Sequence, residues 1–134
     1  MARILIIEDN AANLDLMHYL LTAFGHEPLA ATDGLAGLEA AARERPDLIL
    51  CDLQLPGLDG FEVARRLKAD PLLGRVPLVA VTAYAMVGDR ERILAAGFDG
   101  YLPKPIAPET FGQQVAVFLR GGTRPGPPDT PMES

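Results

Sequence analysis

Residues 47–60 read DLILCDLQLPGLDG: four apolar residues in succession lead to an acid, and a loop rich in turn-forming residues follows. An uninterrupted apolar run of this length is typical of a strand that is covered on both faces, as in a parallel sheet. Pro56-Gly57 and Asp59-Gly60 are turn signals, and Asp59 with Glu62 makes a capping-box-like start for a helix. The segment therefore predicts a buried strand that presents Asp52 at its carboxyl end, followed by a helix.

The same strand-and-helix unit recurs along the chain. The predicted strands are residues 3–8, 28–32, 47–52, 78–82 and 100–103, and the predicted helices are residues 11–24, 34–45, 59–69, 89–96 and 108–120. Gly25 and Gly97 follow two of these helices as left-handed caps, and Pro108 opens the last one. Regular alternation with short loops predicts right-handed crossovers and a parallel sheet with helices on both faces.

The composition indicates one compact domain. At 134 residues, of which 49% are hydrophobic, the chain is long enough to bury a core without disulfides or metals. The single cysteine, Cys51, excludes an internal disulfide and fits a reducing cytoplasm. Residues 1–120 are predicted to form the domain, and the Pro- and Gly-rich residues 121–134 are predicted to be a disordered tail or a linker.

The net charge, the first residues and the length of the apolar runs indicate which partners and which cellular location to expect. The net charge is −6 and the basic residues are scattered among acids, which argues against direct nucleic-acid binding because phosphate backbones require clustered Lys and Arg. The chain enters its first predicted strand directly after Met1-Ala2-Arg3, so we expect no secretory signal. Since no apolar run reaches roughly 18 residues, we also expect no membrane segment and a cytoplasmic protein.

Five polar residues follow the apolar strands at their carboxyl ends: Glu8, Asp9, Asp52, Thr82 and Lys104. In an open parallel sheet these ends meet at the edge where ligands bind. Three neighbouring carboxylates raise one another's pKa unless a cation neutralises them, and a small set of oxygen ligands suits Mg²⁺. A carboxylate can attack a phosphoryl group to give an aspartyl phosphate, while a lysine and a hydroxyl stabilise the phosphoryl oxygens. The pattern predicts a metal-assisted phosphoryl site.

These residues, in this order and at this spacing, resemble the receiver domain of bacterial response regulators over about residues 3–120. The motifs that carry the resemblance are Glu8-Asp9-Asn10, Asp52 with Pro56 and Gly60, Val81-Thr82-Ala83 and Lys104-Pro105. The resemblance implies a flavodoxin-like (βα)5 fold, with a five-stranded parallel sheet in the order 2-1-3-4-5. Residues 8–13 and 82–86 look most like stand-alone cell-cycle-type regulators and the receivers of hybrid histidine kinases.

The resemblance also implies a role for each residue of the site. Asp52 is expected to be the phosphoacceptor, with Mg²⁺ held by Asp52, by Asp9, by Glu8 through a water molecule and by the backbone carbonyl of Gln54. Lys104 is expected to neutralise the phosphate, and its bond to Pro105 is expected to be cis, which costs little only before proline. Such a protein is not an enzyme in the ordinary sense, because it promotes only its own phosphotransfer and dephosphorylation.

The expected signalling device consists of Thr82 and Tyr101. Phosphorylation is expected to draw Thr82 toward the phosphate and to let Tyr101 turn inward. A downstream partner would then respond on the face formed by the fourth helix, the fifth strand and the fifth helix. Gln54 and Tyr84 border the site and are expected to tune dephosphorylation.

The first helix is expected to carry both core and docking residues. Its predicted core face consists of Asn13, Leu16, Met17, Leu20, Leu21 and Phe24. Ala11, Leu14 and His18 form a strip beside the site, which we expect to dock the phosphohistidine donor, either a histidine kinase or a histidine phosphotransfer protein.

Two alternatives stay open at this point, and two others are disfavoured by the residues of the site. The chain can be a receiver fragment of a hybrid histidine kinase, or a receiver that acts as an interaction module without phosphorylation. An aspartyl-phosphate hydrolase usually carries a second acid two residues after its nucleophile, where this chain has Gln54. A flavin-binding electron carrier of the same fold needs a phosphate-cradling loop after the first strand, where this chain has Glu8-Asp9.

Overall fold

A computed structural model describes residues 1–83 and 87–121, without the side chains of Val87 and Gly121. The strands are β1 (Arg3–Ile7), β2 (Glu27–Ala31), β3 (Leu48–Asp52), β4 (Leu78–Thr82) and β5 (Gly100–Pro103). The helices are α1 (Ala11–Ala23), α2 (Gly34–Glu44), α3 (Gly60–Ala69), α4 (Val87–Ala95) and α5 (Pro108–Gly121), with a short 3-10 turn at Leu73–Arg75. The predicted bounds agree with these within two residues. Tyr84 and residues 122–134 lie outside the described residues.

All five strands are parallel and lie in the order β2-β1-β3-β4-β5, as expected. The register brings the carboxyl ends of the three central strands level with one another. Ile7 pairs with Cys51, Asp52 pairs with Val81, and Thr82 pairs with Pro103. The residues that follow these strands therefore converge at one edge of the sheet, as the alternation of strands and helices requires.

Each face of the sheet is covered by its own apolar cluster. Leu5, Ile7 and Ile49 belong to the cluster that includes buried residues of α2, α3 and α4, such as Ala41, Val63 and Ile93. Ile4, Ile6 and Leu50 belong to the other, with Met17 and Leu21 of α1 and Phe111 and Phe118 of α5. Within the described residues, none of the helices is both long and apolar enough to cross a membrane.

One residue of the predicted core face of α1 is wrongly placed. Phe24 is 53% exposed, although as the C-cap of α1 it still donates its N–H to the carbonyl of Leu20. Its ring lies over Gly112 of α5, where a Cβ would overlap the ring atoms. Because Gly112 has no side chain, the Phe24 ring packs against α5 at the surface and not in the core.

The ends of the helices follow the local sequence. Asn10, Asp33 and Asp59 cap α1, α2 and α3, each accepting a hydrogen bond from the backbone N–H three residues later. Gly25 and Gly97 adopt positive φ values of 85° and 108° at the predicted left-handed positions.

Candidate metal centre

Three carboxylates converge at the carboxyl ends of β1 and β3. One oxygen atom of each of Glu8, Asp9 and Asp52 lies within 4.8 Å of the others. Glu8 is fully buried and Asp52 is 4% exposed, whereas Asp9 is exposed. The cluster is thus open to solvent on the side of Asp9 and closed beneath by the sheet.

Lys104 brings a positive charge to the cluster from the end of β5. Its Nζ lies 3.2 Å from Oδ2 of Asp52 and 3.3 Å from Oε1 of Glu8. The backbone N–H of Lys104 donates to the carbonyl of Thr82 at 2.9 Å, and the Lys104–Pro105 bond is cis, as expected. Thr82 is 1% exposed. The structure therefore brings the predicted acids and lysine together, with Thr82 next to them along the sheet edge.

Glu8 shows why this centre fits a cation. Its Oε2 accepts a hydrogen bond from the Asn10 N–H at 3.2 Å, but its buried Oε1 accepts none from the part of the chain that is described. Burial, followed by the neighbouring carboxylate of Asp52, raises the pKa of Glu8 to about 7, although Lys104 and the Asn10 N–H act in the opposite direction. One lysine among three acids leaves negative charge uncompensated. A hard cation such as Mg²⁺ suits this donor set.

The loop between β3 and α3, residues 53–59, is tied closely to Asp52. The N–H of Gln54 donates to Oδ1 of Asp52 at 3.1 Å, and the N–H of Gly60 donates to the carbonyl of Leu53 at 3.0 Å. A Cβ at Gly60 would lie 2.5 Å from the carbonyl oxygen of Asp52, closer than real Cβ atoms come. Gly60 was part of a predicted motif, but its contact with the Asp52 carbonyl was not predicted. The one sequence feature that indicates such a contact is a glycine at the first position of a helix.

Comparison with known proteins decides the family. The family model of the response regulator receiver domain matches residues 4–116 of this chain. The chain belongs to this family. The receiver is 43% identical over 116 residues to the polar-differentiation response regulator DivK of Brucella anthropi, which covers 87% of this chain and 94% of that protein. It is 42% identical over the same length to the DivK of Brucella ovis.

Solved structures agree with the fold of the receiver. The receiver domain of the sensor histidine kinase PA1611 of Pseudomonas aeruginosa is 35% identical, with a TM-score of 0.83 over 90% of this chain and 98% of that one, and it holds a magnesium ion in its active-site cleft. The Vibrio cholerae chemotaxis protein CheY4 is 26% identical, with a TM-score of 0.83 over 87% of this chain and 98% of that one.

The structure also shows the burial of three other residues with predicted roles: Tyr101, His18 and Leu14. Tyr101, in β5, is only 7% exposed and belongs to the same apolar cluster as Ile93 and Phe98. The ring thus faces inward in this structure, and its movement on phosphorylation stays a prediction. On α1, His18 is exposed, as expected, and Leu14 is partly buried against the core.

Proposed function

We propose that this receiver accepts a phosphoryl group on Asp52, in the presence of Mg²⁺, from a phosphohistidine of a histidine kinase or a histidine phosphotransfer protein. The observation that carries the proposal is the position of Lys104 Nζ between Oδ2 of Asp52 and Oε1 of Glu8. A lysine held beside a nucleophilic carboxylate is the arrangement that phosphoryl transfer needs, because that chemistry depends on positioning and charge neutralisation. Family membership supports the same role.

Each residue of the site has a defined part in this reaction. An oxygen of the Asp52 carboxylate attacks phosphorus while the P–N bond to the donor imidazole breaks, and the imidazole leaves as the neutral base or takes a proton from solvent. Lys104 neutralises the incoming phosphoryl oxygens. Asp9, Asp52, the Gln54 carbonyl and, through water, Glu8 would hold Mg²⁺. When bound, this ion adds positive charge where the phosphoryl oxygens lie.

We assign the switch to Thr82 and Tyr101. Thr82 is at the end of β4, and its carbonyl accepts the N–H of Lys104, so the phosphate-binding lysine is tied directly to the hydroxyl-bearing residue. A Thr82 side chain drawn toward the phosphate would alter the end of β4 beside Tyr101. Because Tyr101 is already buried in the cluster that includes Ile93 of α4, the change would be passed through packing to the α4-β5-α5 face, where a downstream partner binds.

The proposal extends to the partners and to the setting. The donor docks on the strip of Ala11, Leu14 and His18, so Leu14→Glu should slow transfer from the cognate donor, and unchanged transfer would contradict this docking site. The receiver works in the cytoplasm as a phosphoacceptor rather than a turnover enzyme. The same chemistry applies to a stand-alone regulator and to a receiver fragment of a hybrid histidine kinase.

A labelling experiment with a small phosphodonor tests the proposed function. Wild-type protein incubated with acetyl phosphate and Mg²⁺ should acquire a hydroxylamine-sensitive phosphoryl group, and Asp52→Asn should abolish it. Asp47→Asn is the matched control, because Asp47 is an exposed acid that directly precedes the same strand, at the end opposite Asp52. It should be labelled like the wild type. Stoichiometric labelling of Asp52→Asn would refute the assignment, and an unlabelled wild type would favour an interaction module that works without phosphorylation.

A further inference from the structure

The start of α2 presses against the loop that connects β3 to α3. A Cβ at Gly34, the first residue of α2, would lie 2.5 Å from the carbonyl oxygen of Leu58 and 2.8 Å from its Cβ. It would also lie 2.9 Å from Cγ2 of Val63 in α3. Real Cβ atoms essentially never approach other atoms within 3.0 Å. Helix and loop are therefore closer here than any residue other than glycine allows.

Gly34 is needed for space and not for its backbone conformation. Its φ is not among the positive values, which belong to Gly25, Gly57, Gly97 and Arg45. Asp33 caps the helix in the ordinary way, by accepting the N–H of Ala36 at 2.7 Å. Glycine is a poor helix former, so its presence at this position is explained by the close approach of Leu58.

The loop, rather than α2, would yield to a side chain at position 34. The helix is held against the sheet by Gly37, whose missing Cβ would lie 2.5 Å from Cδ1 of Ile7, and by the buried Ala40 and Ala41. The loop is anchored by two bonds near its ends, from Gly60 N–H to the Leu53 carbonyl and from Gln54 N–H to Asp52. An added methyl would thus push Leu58 outward by about 1 Å to reach an ordinary contact.

We propose that Gly34 is a positioning residue for the metal centre: by letting α2 support Leu58, it holds the loop that carries Gln54, whose N–H donates to Asp52 and whose carbonyl is the proposed metal ligand. Leu58 is four residues from Gln54 along this loop, so a displacement at Leu58 changes the path of the chain that leads back to Gln54. Residues that orient metal ligands without touching the ion typically change metal affinity about 10-fold or more when altered. This inference rests on the proposed function for the Mg²⁺ role of Gln54.

The test compares Gly34→Ala with Gly74→Ala. A Cβ at Gly74 would also meet a backbone carbonyl, that of Lys68 at 3.0 Å, but at the opposite end of α3. Titration with MgCl₂, followed through backbone amide resonances, should show a dissociation constant raised about tenfold in Gly34→Ala and by less than about twofold in Gly74→Ala. The Gln54 and Leu58 amide resonances of Gly34→Ala should already be displaced without Mg²⁺, while far-UV circular dichroism stays that of the wild type.

The outcomes separate this inference from the proposed function. Wild-type Mg²⁺ affinity in Gly34→Ala, or equal weakening in both variants, would overturn the positioning role. A wild type that binds no Mg²⁺ would contradict the proposed function instead, and the Gln54 amide of Gly34→Ala would then decide whether Gly34 positions the loop. If Gly34→Ala does not fold, Leu58→Gly removes the Leu58 side chain from the contact and leaves only the backbone carbonyl; the loop then has less support from α2, and Mg²⁺ binding should weaken in the same direction. Unchanged affinity in that variant would overturn the inference.

Discussion

Replacing Glu8 with Gln should stabilise the fold in the absence of Mg²⁺, although it damages the metal centre. Glu8 is fully buried, its Oε1 accepts no hydrogen bond within the described residues, and Asp52 lies beside it. Burial and this neighbour raise the pKa of Glu8 from 4.5 to about 7. The folded state therefore holds the proton more tightly than the unfolded state, and the charged form opposes folding.

The sign and the size of the effect follow from this shift. Below pH 4.5 Glu8 is protonated in both states and its charge costs nothing. As the pH rises from 4.5 through 7, the unfolded chain releases the proton first, so stability is lost. The full loss is about 3 kcal/mol, since one pKa unit corresponds to about 1.4 kcal/mol. Glu8→Gln removes this loss, which amounts to about 10 °C in Tm for a domain of this size.

Urea unfolding measures this difference at about pH 5 and about pH 8, with a chelator and then with Mg²⁺. Because the chain has no Trp, far-UV circular dichroism is the suitable signal. With the chelator, the wild type should lose stability between the two pH values while Glu8→Gln does not. Mg²⁺ should restore the wild type at about pH 8 and have little effect on Glu8→Gln.

A matched substitution separates burial from charge. Glu62 is paired with Arg65 and Arg66 at the surface, which lowers its pKa to about 2. Glu62→Gln removes the same charge from an environment that favours the carboxylate, so it should not stabilise the protein at about pH 8. A wild type whose stability is unchanged between about pH 5 and about pH 8, or a Glu8→Gln no more stable than Glu62→Gln at about pH 8, would refute the reasoning.

Three further predictions are tested by urea unfolding. Arg45, which follows α2 with a φ of 49°, should give a protein about 0.5–1 kcal/mol more stable when changed to Gly; a loss of stability would contradict this. Lys68 donates to two backbone carbonyls and pairs with a carboxylate, so Lys68→Met should cost about 2–3 kcal/mol, whereas Arg65→Met at the surface should cost less than about 1 kcal/mol. In a Phe24→Ala background, Gly112→Ala should stabilise the protein by about 1 kcal/mol. With the Phe24 ring present, the same substitution should stabilise it by less. Equal effects in both backgrounds would contradict the packing of that ring on Gly112.

The fold and the constituents of the site could be predicted because they depend on local patterns. Apolar runs of four or five residues with short loops specify a parallel sheet, and in such a sheet the residues after the strands must meet at one edge. Glu8, Asp52 and Lys104 were predicted to converge for this reason. The N-cap at Asp59 and the left-handed Gly25 follow from sequence signals within a few residues.

What escaped prediction depends on distances between segments that are far apart in sequence. The contact of Gly34 with Leu58 joins the start of α2 to a loop 24 positions later, and a glycine in a sequence does not state what approaches it. Helical periodicity placed Phe24 in the core, but its ring packs on Gly112 of α5 and stays 53% exposed. The burial of Tyr101 in the cluster that includes Ile93 of α4 also joins distant segments, and its movement on phosphorylation stays a prediction.

The proposed function requires that Asp52 receives the phosphoryl group. Borohydride reduces an aspartyl phosphate to homoserine, which marks the modified residue permanently. After incubation with acetyl phosphate and Mg²⁺, reduction and peptide mass spectrometry should find homoserine in place of Asp52, and none when Mg²⁺ is removed by a chelator. Homoserine at Asp9, at another acid, or at no position in a folded protein would show that Asp52 is not the phosphoacceptor.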